Sequence, residues 1–374
     1  MSSKRILFIA HHRLDRSPGQ RYRFEQVFDY LESKGLECVL ANIIAEEDEY
    51  SLYQSNNIIR KLWIGIKSYK KRFQDLLNSE NFALIVIYRE ALPTRTTFFE
   101  KAVSKKNIPI IFDFDDAIWV KDVSNVNKKI SWFKDEKKIE RVLPLCDHIT
   151  CGNKYLAAYA KKFNENVTII PSSVDTSLYK SFQRKSNGVI KIGWVGSHTT
   201  VKHFESITSV FLKLKLKYKD GIEFTVIGDE NYVNKKLNIK GLKWDNEKEV
   251  ELFNSFDIGV MPLPDNEWTK GKCGMKGLLY MSVGIPTVMS KVGMNHDIIN
   301  HGENGFLASG EDEWIQTLTN LIEDENLRKM IGESGRKTVL DHYSKDTVKE
   351  KYYKLYNSLI CLLYTSDAAD DVLC

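Results

Sequence analysis

The chain is short of the features that would cross-link it, anchor it in a bilayer or bind it to nucleic acid. Its six cysteines (Cys38, Cys146, Cys151, Cys273, Cys361 and Cys374) include no CxxC pair and no zinc-like spacing, which predicts a reduced chain and not a disulfide scaffold. No apolar run approaches the length that crosses a bilayer, and the first, Ile6–Ala10, is too short for a signal-peptide core. A cytoplasmic protein is therefore expected. The 54 Lys and Arg against 50 Asp and Glu leave a net charge of +4. That is without the basic excess that releases counterions from nucleic acid, so no nucleic-acid partner is expected and any basic surface must be local. Among eight histidines there is no HExxH motif; His198 and His203, five apart, read as local polar contacts, and neither a metal site nor a cofactor is implied. Internal repeats and low-complexity tracts are also missing, which excludes solenoids and long disordered tails.

What the chain does have is apolar mass. At 374 residues and 43% hydrophobic content it supplies enough for two cores and too much length for one. Strand-like runs alternate with helical stretches from the start. Ile6–Ala10 precedes an amphipathic segment with Phe24, Val27, Phe28 and Leu31 at helical spacing, closed by Gly35. Further buried strands are predicted at Ala83–Tyr88, Ile108–Phe112, His148–Thr150 and Val167–Ile170, the pattern of a parallel sheet covered on both faces. A polar stretch follows Pro171. The pattern then restarts at Ile190–Val195, Phe224–Ile227, Asp257–Met261 and Ile285–Met289, with helices over Glu311–Ile322, Leu327–Leu340 and Asp346–Leu359. The expected division is an α/β domain over 1–171, a linker over 172–189, a second α/β domain over 190–343 and a terminal helix over 344–360 returning to the first domain. Residues 361–374 (CLLYTSDAADDVLC) break from the preceding pattern, resemble read-through sequence and are set aside.

The second half opens with Gly193-Trp194-Val195-Gly196-Ser197-His198-Thr199-Thr200-Val201-Lys202, a strand turning through glycine into a helix. A helix start presents free N–H groups to an anion and suits a phosphate, although glycine at such a turn is as readily structural. Trp268–Ser309 follows, with the helix and turn LLYMSVGIP (Leu278–Pro286), the glycine loop Val292–Asp297 and GENGFL (Gly302–Leu307); PSSVDTSLY (Pro171–Tyr179) stands at the domain junction. On these motifs the chain, over roughly residues 4 to 360, resembles the family-four (group 1) retaining glycosyltransferases.

The resemblance implies a GT-B fold, two Rossmann-like doubly wound domains facing across a cleft. The second would hold a nucleotide diphosphate sugar as co-substrate and the first a glycan or lipid-linked acceptor, with retention at the anomeric carbon and no metal. A role in cell-surface polysaccharide or glycolipid synthesis is expected. Lys202 is expected on the donor diphosphate, with Gly196 and Ser197 at its turn, and Gly293, Met294, Asn295 and Asp297 against the donor sugar; Gly19 and Trp244 join the donor side. The sequence departs from the family at the paired glutamates that grip ribose, which fall on Gly271 and Leu279, and at a phosphate-binding arginine, which falls on Ser197. Lys270, Lys272 and Lys276, interleaved with glycine, are expected to supply the missing cations, since a diphosphate asks for positive donors; a solvated lysine face is the alternative.

In the first half, PIIFDFDDAIW (Pro109–Trp119) places Asp113, Asp115 and Asp116 at a strand end, where α/β sheets face their ligands. Asp115 falls where the family often has histidine and is expected to be catalytic. Asp113 and Asp116 are equally well read as helix caps. Arg21 and Arg23, beside Gly19, and the pair Arg89 and Glu90 are expected at the acceptor. The segment Arg60–Phe73 interleaves six basic residues with Trp63, Tyr69 and Phe73 and contains no acid, as in a helix on an anionic membrane, which would place the protein peripherally at the inner face; a half-buried surface helix is the alternative. Two rival readings are open. Asp113-Phe114-Asp115 also resembles the nucleophile strand of haloacid-dehalogenase-type phosphatases, but Val233 stands where their later acid belongs. A non-catalytic, carbohydrate-binding protein on the same fold is the stronger rival, because both glutamates are missing.

Overall fold

The computed structural model describes residues 4–53, 58–120, 135–182, 188–245 and 247–370. They divide into two compact units, one of Met1–Ser172 with Val348–Cys374, the other of Ser173–Thr347.

The first unit is built on β1 (Lys4–Ala10), β2 (Leu36–Asn42), β3 (Leu84–Tyr88), β4 (Ile110–Phe114), β5 (His148–Cys151) and β6 (Val167–Ile169). All pair in parallel, in the order β2-β1-β3-β4-β5-β6. Between them lie α1 (Pro18–Arg23), α2 (Phe28–Ser33), α3 (Glu46–Tyr53), α4 (Ile58–Leu77), α5 (Phe98–Val103), α6 (Lys138–Val142) and α7 (Lys154–Ala160). Strands β3 and β4 are buried along their whole length, as continuous β-branched and aromatic runs require when helices cover both faces. Ile6, Phe8, Val86 and Ile111 meet Phe24, Phe28 and Leu31 in the core. The single helix expected around Phe24–Leu31 is broken, because Phe24 leaves helical dihedrals (φ −133°) and a short 3₁₀ turn over Glu25–Val27 separates α1 from α2. Strand β2, which the sequence reading did not single out, is only partly buried. The basic segment 60–73 lies in α4, but Arg72, expected on an anionic surface, is wholly buried.

The second unit contains β7 (Ile190–Val195), β8 (Ile222–Ile227), the short antiparallel pair β9 (Val233–Asn234) and β10 (Ile239–Lys240), β11 (Ile258–Met261), β12 (Thr287–Ser290) and β13 (Phe306–Ala308). Its main sheet is parallel in the order β13-β12-β11-β7-β8. Its helices are α8 (Val201–Glu205), α9 (Thr208–Tyr218), α10 (Glu249–Asn254), α11 (Glu267–Lys270), α12 (Met275–Ser282), α13 (Asn295–Ile298), α14 (Gly310–Glu323) and α15 (Glu325–Thr338). Trp194, Phe204, Phe211, Phe224 and Trp314 dominate the core. Residues 173–182 belong to this unit: Val174 and Tyr179 are buried, and the Val174 backbone exchanges hydrogen bonds with Tyr343 and Lys345. The last helix, α16 (Lys345–Asp370), sends Val348, Tyr352, Tyr356 and Ile360 into the core of the first unit.

Candidate functional site

Both main sheets reverse direction beside their first strand, and ligands of open α/β sheets gather at the carboxyl ends of the strands where that reversal occurs. In the second unit the reversal falls between β7 and β11. The turn Gly196–Thr200 leaves β7 there, and α11 and α12 follow β11. Tyr280 ties the two sides together: it is buried on α12, and its hydroxyl accepts the Val195 N–H at the end of β7 at 2.9 Å.

The lysines expected on a diphosphate collect around two tryptophans at this point. Lys202 and Lys272 lie over the Trp268 ring, 5.9 and 3.7 Å from its centroid, and the buried His203 stacks on the same ring at 5.7 Å. Lys276 lies 4.5 Å over Trp194, and burial, followed by the charge of Lys272, brings its ammonium down to about 7. Cations over aromatic faces are attracted by the ring quadrupole, which orders the long side chains. Lys270 takes a different course. Its ammonium pairs with Asp265 at 3.2 Å, while its backbone meets Gly293, which has φ +53° and where a Cβ would come within 2.8 Å of the Lys270 carbonyl oxygen. Only glycine permits that approach, which lays the loop 292–295 against α11.

Some expected contacts take another form. Helix α8 has five residues, too few for a substantial dipole, so positive charge at this turn comes from lysine and not from a helix start. Ser197, standing where the family has arginine, shares a 2.8 Å hydrogen bond with Thr199, and the Gly196 N–H donates to the Ile227 carbonyl at 2.8 Å. Met294 and Asn295 are buried, and the Asn295 amide donates to the Ser290 carbonyl at 2.9 Å, so neither side chain faces solvent. The Asp297 side chain is exposed, and its carbonyl accepts from the Tyr343 hydroxyl. Trp244 donates to Glu249 at 3.1 Å. Leu279 is buried and Gly271 has no side chain, so no carboxylate stands at either place of the family's glutamate pair. The sequence reading gave Trp194 and Trp268 no site role and took His203 as a local polar contact; the closeness of Trp268 to Lys270 and Lys272 in the chain was the available signal.

The first unit reverses between β1 and β3. Arg89, just after β3, has φ +61°, a left-handed conformation that a non-glycine residue adopts only under restraint. Its guanidinium supplies that restraint, pairing with Asp115 and Asp116 at 2.7 Å each. The Tyr88 hydroxyl also donates to Asp115 at 2.8 Å. Burial pushes the Asp115 carboxyl up, but Arg89 and Arg23 more than offset this and hold it below the usual carboxylate range, which suits an ionised anchor and not a proton donor. Gly19 packs so tightly that a Cβ would overlap the Tyr88 hydroxyl. Glu90 pairs with the buried Lys138 at 3.2 Å.

Two expectations are corrected here. Arg23 is not an acceptor contact: it is fully buried, forks onto Asp113 at 3.0 and 2.6 Å and donates to the Ile170 carbonyl. Asp113 lies within β4, not past it, and also accepts from Thr150 at 2.6 Å. It is neither a helix cap nor a nucleophile. Arg21 stays beside Tyr22, to whose hydroxyl it donates at 2.8 Å.

Comparison with known proteins agrees with this architecture. The crystal structure of HepE from Anabaena in complex with UDP and glucose has a TM-score of 0.64 at 13% identity, over 95% of this chain and 100% of that one. The fold is thus GT-B. An uncharacterised glycosyltransferase of Methanocaldococcus jannaschii is 24% identical over 310 residues, 75% of this chain and 78% of that protein. The capsular polysaccharide biosynthesis glycosyltransferase CapM of Staphylococcus aureus is 23% identical over 198 residues, 50% of each chain. Residues 190–324 match the family model described as Glycosyl transferases group 1. The second unit thus resembles the group 1 glycosyltransferases, and a glycosyltransferase matches most of the chain.

Proposed function

We propose that this glycosyltransferase takes a sugar from a nucleotide diphosphate donor held by its second unit, with Lys202, Lys272 and Lys276 on the diphosphate. The observation that carries this reading is the convergence of these lysines on Trp268 and Trp194 at the β7/β11 reversal. A departing diphosphate gathers negative charge, and cations already ordered over aromatic rings stabilise it with little reorganisation. In this reading the lysines do the work that a metal ion does elsewhere, and transfer retains the anomeric configuration, as the family resemblance implies. The first unit receives the acceptor at the edge formed by Arg21, Arg89 and Glu90, beside the catalytic Asp115. The acceptor is a glycan or lipid-linked glycan of a cell-surface polysaccharide or glycolipid, a reading supported by the similarity to a capsular polysaccharide enzyme. The cysteines Cys38, Cys146, Cys151, Cys273 and Cys361, which form no disulfide among the described residues, fit a reducing compartment, and we place the protein in the cytoplasm.

The test is a thermal-shift screen of nucleotide sugars, since a ligand of the native state raises its melting temperature. Calorimetry with the selected nucleotide follows. Lys272→Ala should weaken the nucleoside diphosphate by roughly ten- to a hundred-and-fifty-fold, the effect of a charge-assisted contact of about 1.5 to 3 kcal/mol, and leave the bare nucleoside nearly unchanged. Equal losses for both ligands, or none, would remove the lysines from the site. Product anomers read by NMR check retention, and activity lost to a chelator and restored only by a divalent ion would overturn the metal-free reading.

A further inference from the structure

Helix α4 is amphipathic in the wrong sense for a helix of a soluble protein. The side that packs on the first unit carries Ile64, Ser68 and Arg72, all buried. Arg72 fastens the helix there: its guanidinium donates to the carbonyls of Ala10, Ala41 and Ala91 at 2.6, 2.9 and 2.8 Å and pairs with Asp75 at 2.7 Å. The opposite side carries Ile59, Leu62, Trp63, Ile66, Phe73 and Leu77, all exposed; Ile59 is 82%, Ile66 60% and Leu77 63% exposed. At about 1.5 Å per residue this stripe extends roughly 27 Å. An apolar face normally turns to the core, and a continuous outward one marks an interaction surface.

We infer that α4 docks the protein on an anionic lipid bilayer by inserting this stripe among the acyl chains. Three features favour lipid over a second copy of the chain. Of the six bases between Ile58 and Leu77 (Arg60, Lys61, Lys67, Lys70, Lys71, Arg72), Arg72 is spent in the buried anchor, but Arg60 and Lys70 are exposed, so two copies of the helix would bring these like charges together, whereas anionic headgroups complement them. Lys67 is engaged with Asp48 at 3.0 Å, but Lys70 is exposed and projects within the stripe. Trp63 and Tyr69 stand at its two margins with Ile66 and Phe73 between them, the placement that amphipathic rings take at a lipid–water boundary. Finally, the Arg72 anchor holds the face outward, so insertion requires no unfolding. This inference is independent of the donor site.

Sedimentation with phosphatidylcholine vesicles, with and without phosphatidylglycerol, tests it on the full chain. The wild type should bind the phosphatidylglycerol vesicles. The triple variant Leu62→Gln, Ile66→Gln, Phe73→Gln should bind on the order of a hundredfold more weakly, because three apolar side chains no longer leave water. Its melting temperature and donor binding should be unchanged, since those side chains are exposed. Lys70→Gln with Lys71→Gln should lose affinity several-fold for the anionic vesicles only, and less so at high salt. A wild type that binds no vesicle, or a triple variant that binds as well, would overturn the inference. So would a wild-type dimer that the triple variant converts to monomer, which would assign the stripe to a second copy.

Discussion

Lys276 has its ammonium over Trp194 and Lys272 close by, and its pKa is lowered from 10.5 to about 7 by burial first and by Lys272 second. Between those values the unfolded chain holds a proton that the folded chain has lost, so this residue makes stability rise with pH from about 7 upward and fall as pH drops toward 7. A diphosphate reverses the preference, because it favours the charged lysine. Nucleoside diphosphate should therefore bind more tightly as pH falls through neutrality, and its binding on the alkaline side of 7 should take up a proton. Calorimetry in buffers of different ionisation enthalpy measures that uptake. Lys276→Met should abolish it and flatten the pH dependence of the melting temperature above neutrality; uptake that survives the substitution would assign the proton to another group. At the same scale the sequence showed which cations are present, but not their state, because a lysine's proton affinity depends on burial and neighbours that come from distant strands.

At the level of the element, α4 and β4 owe their places to buried arginines that composition alone labels as surface residues. Arg72 satisfies carbonyls near the ends of β1 and β2 and just after β3, and Arg23 holds Asp113. Arg72→Met keeps the length of the side chain while leaving those carbonyls and Asp75 without their donor. It should lower the unfolding free energy by about 3 to 5 kcal/mol, the usual cost of breaking a buried charge network. Urea denaturation of the purified variant measures it, and a loss within 0.5 kcal/mol would make the anchor dispensable. The strands were legible wherever an apolar run is continuous, as in β3, β4 and β7. Strand β2 was not, because its side chains are only half buried, and the three-residue β13 was too short to show a period. The outward face of α4 was half legible: spacing revealed the helix and its charge, but periodicity does not say which face meets the core.

For the whole molecule, the first unit depends on a helix from the far end of the chain, since Val348, Tyr352, Tyr356 and Ile360 complete its core. A chain stopped after Thr347 should lose hydrogen-exchange protection in β1 and β3 while β7 and β11 keep theirs, because deleting large buried side chains costs about 2 to 5 kcal/mol apiece. Equal protection in both units would show that the helix is peripheral. The alternation of apolar runs with amphipathic stretches, and the motifs of residues 171–309, were enough by themselves to set two parallel α/β sheets and the glycosyltransferase class. These depend on local periodicity and short-range turns, which a linear sequence records. The tertiary structure alone decided that Arg23, Arg72 and Asp113 are buried network residues, that Asp115 anchors a strained Arg89, and that the lysines meet on Trp194 and Trp268. Each of these turns on groups far apart in the chain that the sheet order brings together, and a charged side chain reads the same in sequence whether it ends in water or in a core.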